Sequence, residues 1–150
     1  RISYKEDIPI LSDNRNISIS HSDEIVTVLI SKENGIGVDV EKIKNKVHSV
    51  ASKFLSSNEI GFFGKDPSTR QLIRAWTAKE AIYKALRKPG ISFSENIILD
   101  EFNDIAQSAN AKFISSDEET DLINANFGFV KTPFLSPKSI MSNNSAIFPM

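Results

Sequence analysis

The run from Thr69 to Lys88, "TRQLIRAWTAKEAIYKALRK", constrains this chain more than any other segment. At helical spacing Leu72, Ala75, Trp76, Ile82, Tyr83 and Leu86 fall on one arc, and Pro89-Gly90 stops the helix. A helix with such a stripe must bury it. Yet Lys79 lies inside the arc, and Glu80 and Lys84 stand at its border at i, i+4. A surface pair of that kind is worth only a few tenths of a kcal/mol, and a lysine stem can run along apolar surface with its ammonium in water. Without that escape, a charge in an apolar stripe requires an anion.

The segments ahead of the helix read as strands. In "NISIS", Ile17 and Ile19 alternate with Ser18 and Ser20. "SDE" (Ser22–Glu24) is a turn, and "IVTVLI" (Ile25–Ile30) is β-branched and apolar, a buried strand. Asn34-Gly35 is a hairpin signal, so "IGVDVE" (Ile36–Glu41) returns as the third strand of an antiparallel meander. Residues 47–64 have helical spacing in two pieces, the second opened by a capping box of Ser56 and Glu59. "GKDPS" is a loop. After the long helix, "ISFSENIIL", "AKFISS" and "LINANFGFV" read as strands, and the Pro-, Ser- and Asn-rich tail reads as irregular. A meander, then helices, then strands predict an α+β fold with the meander packed on the long helix.

Composition narrows the chemistry. A chain of 150 residues, 40% hydrophobic and 25% charged, suits one domain with its own core. A net charge of −1 gives no reason to expect nucleic acid, so any phosphate recognition is local. With no cysteine there are no disulfides, thiolate metal sites or thiol nucleophiles, which is compatible with the cytoplasm. No apolar run reaches the length of a membrane span. The chain opens on Arg1 and reads as a piece of a longer protein.

Within "GVDVE", Asp39 and Glu41 share one strand face. Two carboxylates ~7 Å apart along a strand suit either a solvated edge or a hard divalent cation such as Mg²⁺, which takes one or two carboxylates together with water and substrate phosphate. If these carboxylates lie opposite the long helix, Glu80 completes a cluster of three, and Lys79 and Lys84 face the anion that the metal holds. His21 shares the face of Ile17 and Ile19; a lone histidine there is more often a core residue than a ligand, while Ser20 and Ser22 beside it offer hydroxyls that suit a phosphate. Glu59 is accounted for by its capping box, with catalysis as the alternative. Lys42, Lys44, Lys46 and Lys53 form a local positive cluster, either a solvated face or a dock for an acidic partner.

Taken together and in this order, "NISISHS", "GIGVDVE", "FLSSNE" and "WTAKEAIYKAL" resemble the 4′-phosphopantetheinyl transferase superfamily across roughly residues 4–100. The serine-histidine strand ahead of "GVDVE" is similar to the surfactin-synthetase-activating type. The resemblance implies transfer of the 4′-phosphopantetheine arm of coenzyme A to a serine of an apo acyl or peptidyl carrier protein, leaving 3′,5′-adenosine bisphosphate. It implies Mg²⁺ on Asp39, Glu41 and Glu80. It further implies phosphate contacts from Lys79 and Lys84, contacts from His21 and Ser20 to the 3′-phosphate region of coenzyme A, and Glu80 or Glu59 as base for the carrier serine. It divides the chain into a remnant of an N-terminal half (1–34), a core half (35–125) and the tail (126–150).

Three features depart from that pattern: most of the N-terminal half is missing, Asp7-Ile8-Pro9 stands where the family often has Gly-Lys-Pro, and the tail does not resemble the usual closing strand. Two other readings fit the same residues. One is a module that binds coenzyme A or a carrier protein without catalysis. The other is a Mg²⁺-dependent phosphate-ester enzyme such as a pyrophosphohydrolase.

Overall fold

The computed structural model describes residues 1–23, 25–103, 108–115, 120–123, 126–129 and 138–142. The chain starts with a hairpin that the sequence reading omits, β1 (Ile2–Lys5) and β2 (Ile8–Leu11). Its two turn residues, Glu6 and Asp7, both have positive φ (49° and 63°), as a tight hairpin turn matching the strand twist requires. Next come β3 (Asn16–Ser22) and β4 (Ile25–Ser31), antiparallel with Ile17 opposite Ile30 and Ser22 opposite Ile25, as expected; but β4 is not the buried strand its apolar run predicts, since Val26, Val28 and Ile30 are exposed and only Leu29 is buried.

The third strand of the expected meander, β5 (Gly37–Val40), does not add to β4. It pairs instead with β10 (Lys138–Ser142), Asp39 opposite Ser139, and β10 in turn pairs with β9 (Asn126–Phe129). β9 falls within "LINANFGFV", read as a strand, whereas β10 is a strand in the Pro-, Ser- and Asn-rich tail expected to be irregular; the rest of that tail lies outside the described residues. On its other edge β5 lies beside β3, where serine hydroxyls replace a backbone ladder. Ser18 Oγ accepts from Val38 N (3.1 Å), Ser20 Oγ from Val40 N (3.3 Å) and Ser22 Oγ from Lys42 N (3.2 Å). Short hydroxyl side chains compete for main-chain donors in this way, and their period of two along β3 matches the alternation of amides along β5.

A 3₁₀ turn (Asn45–Val50) runs into the short α1 (Ala51–Phe54). The capping box of Ser56 and Glu59 then opens α2 (Ser57–Phe63), as predicted. A second capping box, Ser68 with Gln71, opens α3 (Thr69–Leu86), which ends two residues earlier than expected because Arg87 takes a left-handed conformation (φ 52°). Strands β6 (Ile97–Asn103), β7 (Ser108–Ile114) and β8 (Thr120–Ile123) form an antiparallel sheet. Mixed helix and antiparallel sheet bear out the α+β expectation.

Helix α3 is buried on more than the predicted arc. Leu72, Ala75 and Ile82 are buried, but so are Ile73, Ala78, Ala81 and Ala85, while Tyr83 is exposed. The small residues explain the second buried face. A Cβ on Gly37 would lie 1.8 Å from Ala81 O, so β5 and α3 meet backbone to backbone. That contact brings the carboxylates of β5 alongside Glu80 and Lys84. The main core joins α1, α2 and α3 to β6 and β7 through Phe54, Leu55, Leu72, Ile82, Ile97 and Phe113.

Candidate active site

Asp39 on β5 is 3% exposed. Its Oδ1 accepts from Ser20 Oγ and from Lys84 Nζ, both at 2.7 Å. Its Oδ2 is buried and has no hydrogen-bond partner. Lys84 also reaches Val38 O at 3.3 Å. Glu41 lies just past the end of β5, half-buried, and its Oε1 accepts from Trp76 Nε1 at 3.4 Å. Trp76 is held in turn by Phe54 (ring centroids 5.3 Å apart) and Phe93 (5.5 Å).

The electrostatics show that the three carboxylates sense one another. Burial first, then the charges of Asp39 and Glu41, push Glu80 up to about 7, with Lys84 opposing. Burial, then Asp39, also raises Glu41, against the Trp76 hydrogen bond. Burial is the larger cause of both shifts, and repulsion among the carboxylates adds to it. Three oxygen-donor groups of that kind suit a hard divalent cation, and the bare Oδ2 of Asp39 is an acceptor that such a cation would satisfy. Among the described residues, however, no three such groups converge as a ready-made metal cluster. Asp39 Oδ1 is taken by Ser20 and Lys84, and Glu41 is turned to Trp76.

Lys79 sits elsewhere. It is 0% exposed, and its ammonium donates to Glu59 Oε2 (2.7 Å), Phe54 O (2.7 Å), Phe93 O (2.8 Å) and Ile97 O (2.6 Å). Burial lowers its pKa and Glu59 opposes that. Glu59, 1% exposed, also accepts from Ser56 N (2.7 Å) and Leu99 N (2.8 Å). The pair ties α1, α2 and β6 to α3, and in this arrangement neither charge reaches a phosphate or a substrate hydroxyl. Position on the apolar arc signalled that Lys79 needs an anion; the anion is Glu59 rather than a ligand.

Ser20, 6% exposed, points inward to β5. His21 is exposed, so it is not a core histidine. It continues the face of β3 whose Ile17 and Ile19 line a cleft of about 560 Å³. Tyr83, Lys84, Arg87 and Lys88 at the end of α3 also line it, as do Glu6, Asp7, Ile8 and Pro9 from the first hairpin. Arg87, which the sequence reading did not single out, anchors to Ile17 O at 3.2 Å. Its spacing from Lys84 and Lys88 was readable as a basic helix end; its left-handed backbone was not. In the lysine cluster, Lys42 and Lys44 both pair with Asp23 (2.9 and 3.4 Å), so part of that charge is answered within the chain.

The cleft carries three cations, Lys84, Arg87 and Lys88, against two acidic residues, Glu6 and Asp7, and Lys84 is bonded to Asp39; a phosphate beside Lys84 fits that lining. The model of the 4′-phosphopantetheinyl transferase superfamily matches residues 35–131, well over half of the chain, and the chain belongs to that superfamily. Its members transfer phosphopantetheine, with coenzyme A as substrate and carrier proteins as partners. No individual curated protein matches the chain. No helix among the described residues is long and apolar enough to cross a membrane.

Proposed function

We propose that the chain transfers 4′-phosphopantetheine from coenzyme A to the serine of an apo acyl or peptidyl carrier protein in a Mg²⁺-dependent reaction, and that it is of the surfactin-synthetase-activating type. The observation that carries the proposal is the double contact of Lys84, which lines the cleft and bonds Asp39 Oδ1 at 2.7 Å. Substrate phosphate in the cleft would therefore lie next to the carboxylates. Asp39, Glu41 and Glu80 would hold the Mg²⁺. Bound there, the ion supplies Lewis-acid stabilisation of pyrophosphate charge.

The protein's own part is positioning and charge. The carrier serine hydroxyl attacks the β-phosphorus of coenzyme A, and 3′,5′-adenosine bisphosphate leaves with the electron pair of the broken P–O bond. Such a displacement needs in-line geometry and neutralised oxygens more than a protein nucleophile. Lys84 neutralises a phosphate oxygen, Arg87 and Lys88 set positive charge against Glu6 and Asp7 on the same lining, and Ile17, Ile19 and Pro9 pack its apolar contents. His21 serves the 3′-phosphate at the end of the β3 face. Glu80, at the edge of the carboxylates, is the residue placed to accept the serine proton. Glu59 is too enclosed to share that role. Lys46 and Lys53, both exposed, extend a positive face toward an acidic carrier.

The test is intact-mass spectrometry of an apo carrier protein incubated with the chain, coenzyme A and Mg²⁺. The expected result is a gain of one phosphopantetheine, lost with EDTA and lost in Asp39→Ala and Glu80→Ala variants that keep a native circular dichroism spectrum. Full transfer by both variants would sink the proposal.

A further inference from the structure

We infer that Ser20 is a positioning residue for Asp39, one that fixes which carboxylate oxygen is free for the metal, and not a contact to substrate phosphate. The inference rests on the reading of Asp39 as a metal ligand. Of the three serines along β3, all accept from amides on the β5 side, at 3.1, 3.3 and 3.2 Å. Ser20 alone among them also donates to a carboxylate, Asp39 Oδ1 at 2.7 Å. Its hydroxyl is thereby used in both directions, accepting from Val40 N and giving its one proton to Asp39. With 6% exposure it has neither a spare proton nor an open approach for a phosphate oxygen.

The consequence falls on Asp39. Ser20 and Lys84 both occupy Oδ1, from β3 on one side and α3 on the other. With both donors on one oxygen, Oδ2 is left as the buried oxygen without a partner, and Ser20, short and buried, is the donor that holds the carboxylate plane. Partners behind a ligating carboxylate orient it in this way, and their removal typically weakens metal affinity about 10–100-fold. Lys84 alone cannot do the same, because its Nζ is also shared with Val38 O and its long stem leaves it free to turn to substrate.

The experiment uses Trp76, the only tryptophan in the chain, whose indole touches Glu41. Its fluorescence is followed during Mn²⁺ and Mg²⁺ titrations of the wild-type chain, Ser20→Ala and Ser22→Ala, without coenzyme A. Ser22→Ala removes the same kind of amide acceptor from β3 without touching Asp39, so it controls for loss of the serine ladder. Transfer kinetics with coenzyme A and with 3′-dephospho-coenzyme A complete the set. The expected result is a rise of about tenfold or more in half-saturating metal for Ser20→Ala, none for Ser22→Ala, and an unchanged KM for coenzyme A at saturating metal. Ser20→Thr, which keeps the hydroxyl, restores part of the affinity. An unchanged metal titration in Ser20→Ala overturns the inference alone. So does a KM that rises for coenzyme A but not for the 3′-dephospho form, which would assign Ser20 to the 3′-phosphate. A wild-type chain with no response to either metal removes the metal reading itself, and the inference with it.

Discussion

At the scale of single residues, two neighbours on α3 meet opposite fates. Lys79 and Glu80 are adjacent in sequence, yet one is sealed in the core and the other borders the candidate site. The misfit of Lys79 was legible from its place on the apolar arc, because a buried ammonium requires an anion. Which anion was not legible, since Glu59 lies 20 residues away and its capping box already accounted for it. Removing one member of a buried pair costs about 3–5 kcal/mol, because the other charge is left without compensation. Lys79→Met should therefore lower the urea midpoint by that equivalent, while the protein that remains folded keeps its KM for coenzyme A. A raised KM at intact stability would return Lys79 to the phosphate site.

Glu80 gives the pH prediction. Its folded pKa of about 7 stands above its ordinary 4.5, so between those values the folded state binds a proton that the unfolded state has lost. Stability then falls as pH rises through that window. The favourable contribution is complete below about 4.5 and gone above about 7. Urea unfolding of the metal-free protein at pH 5 and pH 8 should show this fall, and Glu80→Gln should flatten it. Glu41 is shifted in the same direction and leaves a smaller slope in the variant. An equal slope in Glu80→Gln and wild type would show that other groups carry the linkage.

At the scale of elements, the sequence named most helices and strands but not their partners. The capping box of α2, the strands at Asn16–Ser22 and Ile25–Ser31, and the long helix could be read because each depends on local spacing. The pairing of β5 with β10 could not, because it joins residues about 100 apart in the chain, and nothing in "KSIMS" marks it as a partner. The second buried face of α3 escaped for another reason: it is made of alanines, which add little to a hydrophobic period. Gly37 is what that face packs on. Gly37→Ala forces a Cβ into Ala81 O, a backbone atom that cannot turn aside, and should destabilise by about 1–3 kcal/mol or more. Gly61, inside α2 with nothing within 4 Å of an added Cβ, is the contrast. Gly61→Ala should stabilise by roughly 0.5–1 kcal/mol through helix propensity. Thermal unfolding of both variants checks the pair, and a neutral Gly37→Ala would mean that α3 and β5 do not meet as closely as the structure has them.

At the scale of the whole molecule, the site is a meeting of three elements that the sequence keeps far apart. β3 brings Ser20, His21 and the apolar wall of the cleft, β5 brings Asp39 and Glu41 beyond its end, and α3 brings Glu80, Lys84 and Arg87. Lys84 is the hinge of this arrangement because, among the described residues, it both lines the cleft and bonds Asp39. Under the proposed function, coenzyme A and Mg²⁺ should therefore not bind independently. A phosphate that draws Lys84 away from Asp39 Oδ1 leaves the carboxylates more negative and so better for a cation; a bound cation frees Lys84 for phosphate. Linkage requires the two effects to be equal. Calorimetric titration of coenzyme A with and without Mg²⁺, and of Mg²⁺ with and without coenzyme A, should give one common factor, of order 5–150-fold for couplings of this kind. Lys84→Met should reduce that factor toward one even where each ligand still binds. Independent binding in the wild type would mean that Lys84 serves Asp39 alone, and that the cleft and the carboxylates are two separate features of this fold.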